Sequence, residues 1–174
     1  MHRLLFIVLA VAAGTVHAQH GYSGEKNREI KALSTEEIEQ YRSGAGMGYA
    51  KPAELNHFPG PMHVLELGDK LRLSDEQRAA TRRLMNEHKR EARTIGAKLV
   101  DAEHGIERLF RSGNVDAAAL AQAVREAAAL EGEYRLSHLE THRRMRALLT
   151  DEQVKRYDEL RGYSAREPVH KHGH

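Results

Sequence analysis

The chain of 174 residues has no cysteine, no tryptophan, three phenylalanines and four prolines. Without cysteine it can build no disulfide, no thiolate nucleophile and no sulfur-based zinc cage, so one domain of this size must rest on packing alone. Charge of one sign is also missing: 27 basic residues face 25 acidic ones, whereas a dedicated nucleic-acid surface would show a strong basic excess. There is no Gly-x-Ser-x-Gly elbow, no His-Glu-x-x-His and no paired acids in a recognisable frame, and the chain reads as a non-enzyme. The glycine-rich stretch Ser43-Gly44-Ala45-Gly46-Met47-Gly48 lacks the Gly-Lys-Ser/Thr ending and the preceding strand of a phosphate loop. It reads instead, with Lys51 to Pro61, as a loop that lays Met47, Leu55 and Phe58 on the helices.

The one long apolar run, Leu4 to Ala13, follows Arg3 and precedes Val16-His17-Ala18. It is well short of the roughly 20 residues of a spanning helix, and the pattern is that of a secretory signal peptide, residues 1–18, cleaved before Gln19. Residence in the bacterial periplasm follows as an expectation. Residues 19–60 read as a flexible N-terminal segment with one short helix, started by Ser34-Thr35-Glu36-Glu37.

Two pentads organise the remainder, Leu73-Ser74-Asp75-Glu76-Gln77 and Leu149-Thr150-Asp151-Glu152-Gln153. In each, a Ser or Thr hydroxyl can accept from the backbone N–H three residues on, while the Gln there reaches back to the cap residue's own N–H. Acidic residues in the first turn suit the positive end of the helix dipole. Each pentad therefore starts a helix. The first helix runs from Ser74 to about Arg111, with a stripe that includes Leu84, His88, Ala92, Ile95 and Leu99. The next runs from about Ala117 to Leu149, capped by Asp116 or Asn114, with Val124, Ala127, Tyr134, His138, Met145 and Leu148 on one face. A short helix from Pro61 precedes them and another follows Thr150, stopping at Gly162. The fold class is all-α, four or five helices built on a long antiparallel hairpin over residues 61–162, with a disordered histidine-containing tail at 163–174. So long and thin a hairpin leaves apolar surface that a homodimer would cover, with Leu136 and Leu139 off the main stripe.

The repeated Leu-(Ser/Thr)-x-x-Gln (Leu73, Ser74, Gln77; Leu149, Thr150, Gln153) behind a signal peptide resembles the Spy/CpxP family of small periplasmic proteins, over roughly residues 61–162. The resemblance implies antiparallel dimers and an ATP-independent chaperone that binds unfolded or misfolded proteins during envelope stress. It also implies, as alternatives, a heavy-metal binding, sensing or resistance protein of the same fold, or an adaptor docking on a membrane stress sensor.

Histidine is the remaining distinctive feature, 12 in the chain. With the turn near Gly113-Asn114 and equal rise on both helices, His138 falls beside His88 and His142 opposite Met85, while the shorter turn at Leu73 brings His63 opposite Leu84. His138 and His142 lie one turn apart, as do His63 and Glu66. The expected metal layer is thus His63, Glu66, His88, His138, His142 and Met145, a donor set suited to zinc, nickel, cobalt or copper and not to calcium or magnesium. Packing against the core is the competing reading of each histidine. The tail His170, His172 and His174 could scavenge metal separately.

Overall fold

The computed structural model describes residues 22–164; the expected leader and the tail histidines lie outside them. Among the described residues there are six helices and no strand: α1 (Thr35–Ser43), α2 (Lys51–Glu54), α3 (Pro61–Glu66), α4 (Asp75–Arg111), α5 (Ala117–Ala147) and α6 (Asp151–Arg161). The all-α class and the pair of long packed helices are as the sequence indicates. No described helix is long and apolar enough to cross a membrane.

The helix starts follow from their caps. Ser34, Ser74 and Thr150 each accept from the backbone N–H of the third residue on, and the Glu or Gln there closes a capping box. Asp116, not Asn114, caps α5 through Ala119 N. Gly44 and Gly162 end α1 and α6 in the left-handed region, at φ 74° and 73°, where a glycine needs no compensation. With no proline in its interior, α4 continues for 37 residues, roughly 55 Å.

The two pentads are joined as well as alike. The Gln77 amide donates to the side-chain oxygen of Gln153 at 2.8 Å and to Leu148 O at 2.9 Å; the Gln153 amide donates back to Gln77 at 2.9 Å and to Leu71 O at 3.2 Å. Each glutamine oxygen also accepts its own cap's N–H. The starts of α4 and α6 are thereby clasped by one near-symmetric pair. Gln153→Ala would take one of its two acceptors from the Gln77 amide and strand the Leu71 carbonyl, at a cost of about 2 kcal/mol. In a denaturation double-mutant cycle, Gln77→Ala with Gln153→Ala is expected to cost less than the two singles together.

Two apolar cores lie along the hairpin. The first gathers Val64, Leu71, Leu73, Leu84, Met145, Leu149, Val154 and Tyr157 around the clasp. The second gathers Ile30, Tyr41, Ala92, Leu99, Val100, Ala127 and Tyr134, and here α1 lies against α4. Gly96 permits that approach, since a Cβ on it would come within 2.0 Å of Tyr41 O. Between Leu84 and Ala92 on α4, and between Tyr134 and Met145 on α5, a polar layer separates the cores: His88, Ser137, His138 and Thr141, all buried. Ser137 and Thr141 satisfy their hydroxyls on carbonyls of their own helix, at 2.9 and 2.7 Å.

Three local expectations change. Segment 44–60 contains the extra helix α2, so the described residues hold six helices. Met47 packs against the second core, but Leu55 and Phe58 are exposed and Pro59 and Gly60 are the buried residues, because the loop is held by polar contacts and not by an apolar wrap. Val124 on α5 is half exposed, since α1 and the N-terminal segment cover only one side of the arms.

Candidate metal-binding cleft

At the polar layer, the path of the loop from Ser43 to Pro61 across α4 and α5 leaves a cleft of about 600 Å³. His63, His88, His138, His142, Met47, Met62, Met85 and Glu54 all line it. Helical spacing explains the inward set: four residues separate Leu84, His88 and Ala92, so the histidine occupies a core position between two apolar ones. His138 occupies the same level on α5.

His88 Nε2 and His138 Nδ1 are 3.0 Å apart, with the rings edge to face at a centroid distance of 4.4 Å. Tyr134 lies 4.8 Å from the His138 ring, and the Tyr49 ring lies nearly parallel to it at 6.5 Å. Burial holds both imidazoles down to about 4, with His142 adding to the effect on His88, and His88 and then His142 adding to that on His138. Both are therefore neutral at pH 7. Two neutral rings share two protons, and one lies in the hydrogen bond between them. Their outer nitrogens, His88 Nδ1 and His138 Nε2, are buried without a partner. Whichever tautomer is adopted, one of these carries an unsatisfied N–H and the other a bare lone pair.

His142 and His63 are organised differently, by the loop. His142 Nδ1 is 2.8 Å from Phe58 O; a ring nitrogen facing a carbonyl must carry a proton, so Nε2 is the nitrogen through which the neutral ring would bind a metal. The same Nδ1 lies 3.5 Å from one oxygen of Glu54, and His63 Nδ1 lies 3.5 Å from the other. Glu54 also accepts from Gly60 N at 3.0 Å, from Tyr157 and, at 3.3 Å, from Tyr163. One carboxylate on α2 thus lies beside Nδ1 of histidines from α3 and α5, and their Nε2 atoms make no hydrogen bond among the described residues; a carboxylate beside Nδ1 is the setting in which imidazoles bind metal through Nε2. The Tyr157 hydroxyl, buried and bonded to Glu54, is pushed well above the usual phenol range, by burial first and the carboxylate second. It stays a donor.

Of the residues expected from the sequence, the structure brings His63, His88, His138 and His142 to one cleft. Glu66 is exposed at the end of α3, because that helix stops there and turns it outward. Met145, two turns beyond His138, continues the inward face and is wholly buried in the first core. Glu54, Met47, Met62 and Met85 stand where those two were expected. Met85 was placed at the level of His142 by the hairpin register; Glu54, Met47 and Met62 carry no periodic signal that marks them as site residues.

The donor chemistry of the cleft, imidazole nitrogen and thioether sulfur, suits a late transition metal. Among the described residues no three His, Asp or Glu side chains converge as an ion-holding group, so the donors line a wall and do not form a closed cage. A second His–carboxylate contact lies outside it: His57, at φ 70° and largely exposed, meets the buried Asp158 of α6 at 2.6 Å.

The sequence model of a family described as heavy-metal resistance matches residues 4–156. No curated protein and no solved structure matches the chain.

Proposed function

The chain belongs to the heavy-metal resistance family, and from that premise we propose that it is a non-enzymatic, exported protein that captures a transition-metal ion in the cleft between the Ser43–Pro61 loop and α4/α5. The periplasm is the proposed compartment, on the leader pattern at residues 1–18. The observation that carries the reading is the Glu54 arrangement: the carboxylate lies 3.5 Å from Nδ1 of both His63 and His142, Phe58 O takes the His142 N–H, and the Nε2 atom of each ring is left for a ligand. The metal is cargo, and the buried His88–His138 pair supplies a neutral wall with one further lone pair. This reading ranks ahead of the client-holding one, for which the support is the exposed apolar set Phe110, Val124 and Leu136 along the arms. Those side chains equally suit a second copy of the chain.

Calorimetric titration with zinc, nickel, cobalt and copper, on protein ending before His170, tests the proposal. Binding of one ion per chain is expected, and His63→Ala with His142→Ala should weaken it about a hundredfold at unchanged helicity. Unaltered affinity in that double variant would reject the cleft.

Gly60 provides a finer probe. Its backbone, φ −84° and ψ 143°, suits any residue, but a Cβ there would meet His142 Cε1 at 2.9 Å and Nε2 at 3.0 Å. Gly60→Ala should therefore leave the fold intact and lower metal affinity about tenfold, by displacing the ring edge that carries the free nitrogen.

A further inference from the structure

We propose that the cleft selects a soft monovalent ion, copper(I) or silver(I), through the thioethers of Met47, Met62 and Met85. This rests on the metal-capture reading above and names its substrate class.

Beyond the initiator, the chain has four methionines, and three of them line this one cleft. Met145 is the fully buried core filler, while Met47 is only partly buried at the edge of the second core. The three come from separate elements, Met47 from the loop, Met62 from α3 and Met85 from α4, so no single helical stripe accounts for their meeting. Two of them sit where packing alone would not put a methionine. Met62 is half exposed. Met47 adopts φ 46°, in the left-handed region that costs a residue with a Cβ about 1 kcal/mol, although both its neighbours are glycines.

Charge points the same way. The fixed charges around the cleft are Lys51, Lys89 and Arg93 against Glu54, and the thioethers carry none. A dication entering such a rim meets twice the repulsion of a monocation at the same place, and no anionic ligand offsets it beyond the carboxylate already engaged by Gly60, Tyr157 and Tyr163. Thioether sulfur, in turn, favours copper(I) over the divalent ions. An ion of that class is content with few ligands, which donors spread along a wall can supply.

The test uses the full mature protein and its variant with Met47, Met62 and Met85 all changed to Leu, a swap that conserves volume. Copper(I) is offered under anaerobic reducing conditions in competition with a chromophoric chelator, and zinc is titrated separately. The expected result is one copper(I) per chain, with sulfur scatterers in the X-ray absorption spectrum of the wild type. The triple Leu variant should bind copper(I) about a hundredfold more weakly and zinc unchanged. Copper(I) affinity unaffected by the Leu changes, or a spectrum with nitrogen and oxygen scatterers alone, would overturn the thioether assignment. If zinc binding still depended on His63 and His142, the metal-capture reading would survive. Binding of neither ion would remove both.

Discussion

Gly96→Ala should lower stability by about 3 kcal/mol, a fall of roughly 10 °C in melting temperature, although alanine is ordinarily the better residue inside a helix. The added Cβ would stand 2.0 Å from Tyr41 O, 2.7 Å from Tyr41 C and 3.1 Å from Tyr134 Cε2. The first two atoms are backbone of α1, so no side chain can swing aside. To restore ordinary contact, α1 must retreat by more than an ångström. The Tyr134 hydroxyl would then lose its 2.6 Å bond to Ala45 O, and the loop that forms one wall of the cleft would lose its anchor. Gly132→Ala on α5 is the control: nothing lies within 4 Å of its Cβ, and the same change there should stabilise by about 1 kcal/mol. Opposite signs for one substitution on two neighbouring helices, measured by thermal denaturation, would establish that α1 docks through Gly96. Equal signs would contradict the packing described.

The second large effect is an acid limb in stability. His88 and His138 are held at about 4 in the folded protein against an ordinary 6.5. Between those values the unfolded chain binds the protons and the folded chain resists them, so stability is full above about pH 6.5 and is lost as pH falls towards 4. The position between the rings already holds a proton, so an added one goes to an outer, buried nitrogen. The first protonation of the pair costs on the order of 3 kcal/mol. Changing both to Leu removes two orphaned nitrogens together with the titration. The double variant should be within about 1.5 kcal/mol of wild type at pH 7.5, and its stability should fall less steeply between pH 6.5 and 4. Urea denaturation across that range checks both statements, and parallel acid limbs in the two proteins would contradict the assignment to this pair.

What could be read from the sequence, and what could not, divides along local and non-local lines. Caps are local chemistry, so Ser34, Ser74 and Thr150 marked their helices without reference to the rest of the fold. The hairpin register needed only the turn and the common rise per residue, which is why His138 could be set beside His88. Glu54 and Met62 became visible only with the path of segment 44–60, whose course is fixed by the Gly96–Tyr41 approach, by Tyr134 to Ala45 and by His57 to Asp158, none of which has a period. Met145 and Glu66 were placed in the metal layer by height alone. Met145 keeps the inward angle of His138 but lies two turns beyond it, in the first core, and Glu66 is exposed where α3 ends. The pairing of Gln77 with Gln153 was likewise hidden in the repeat, since two capping boxes can form without touching.

The most direct test of the account is nuclear magnetic resonance of the histidine ring nitrogens during titration with zinc and with silver(I). The cleft account predicts that the Nε2 resonances of His63 and His142 move with either ion that binds, while those of His57 and His104 stay in place. Movement confined to His170, His172 and His174, with the cleft histidines unchanged, would contradict it.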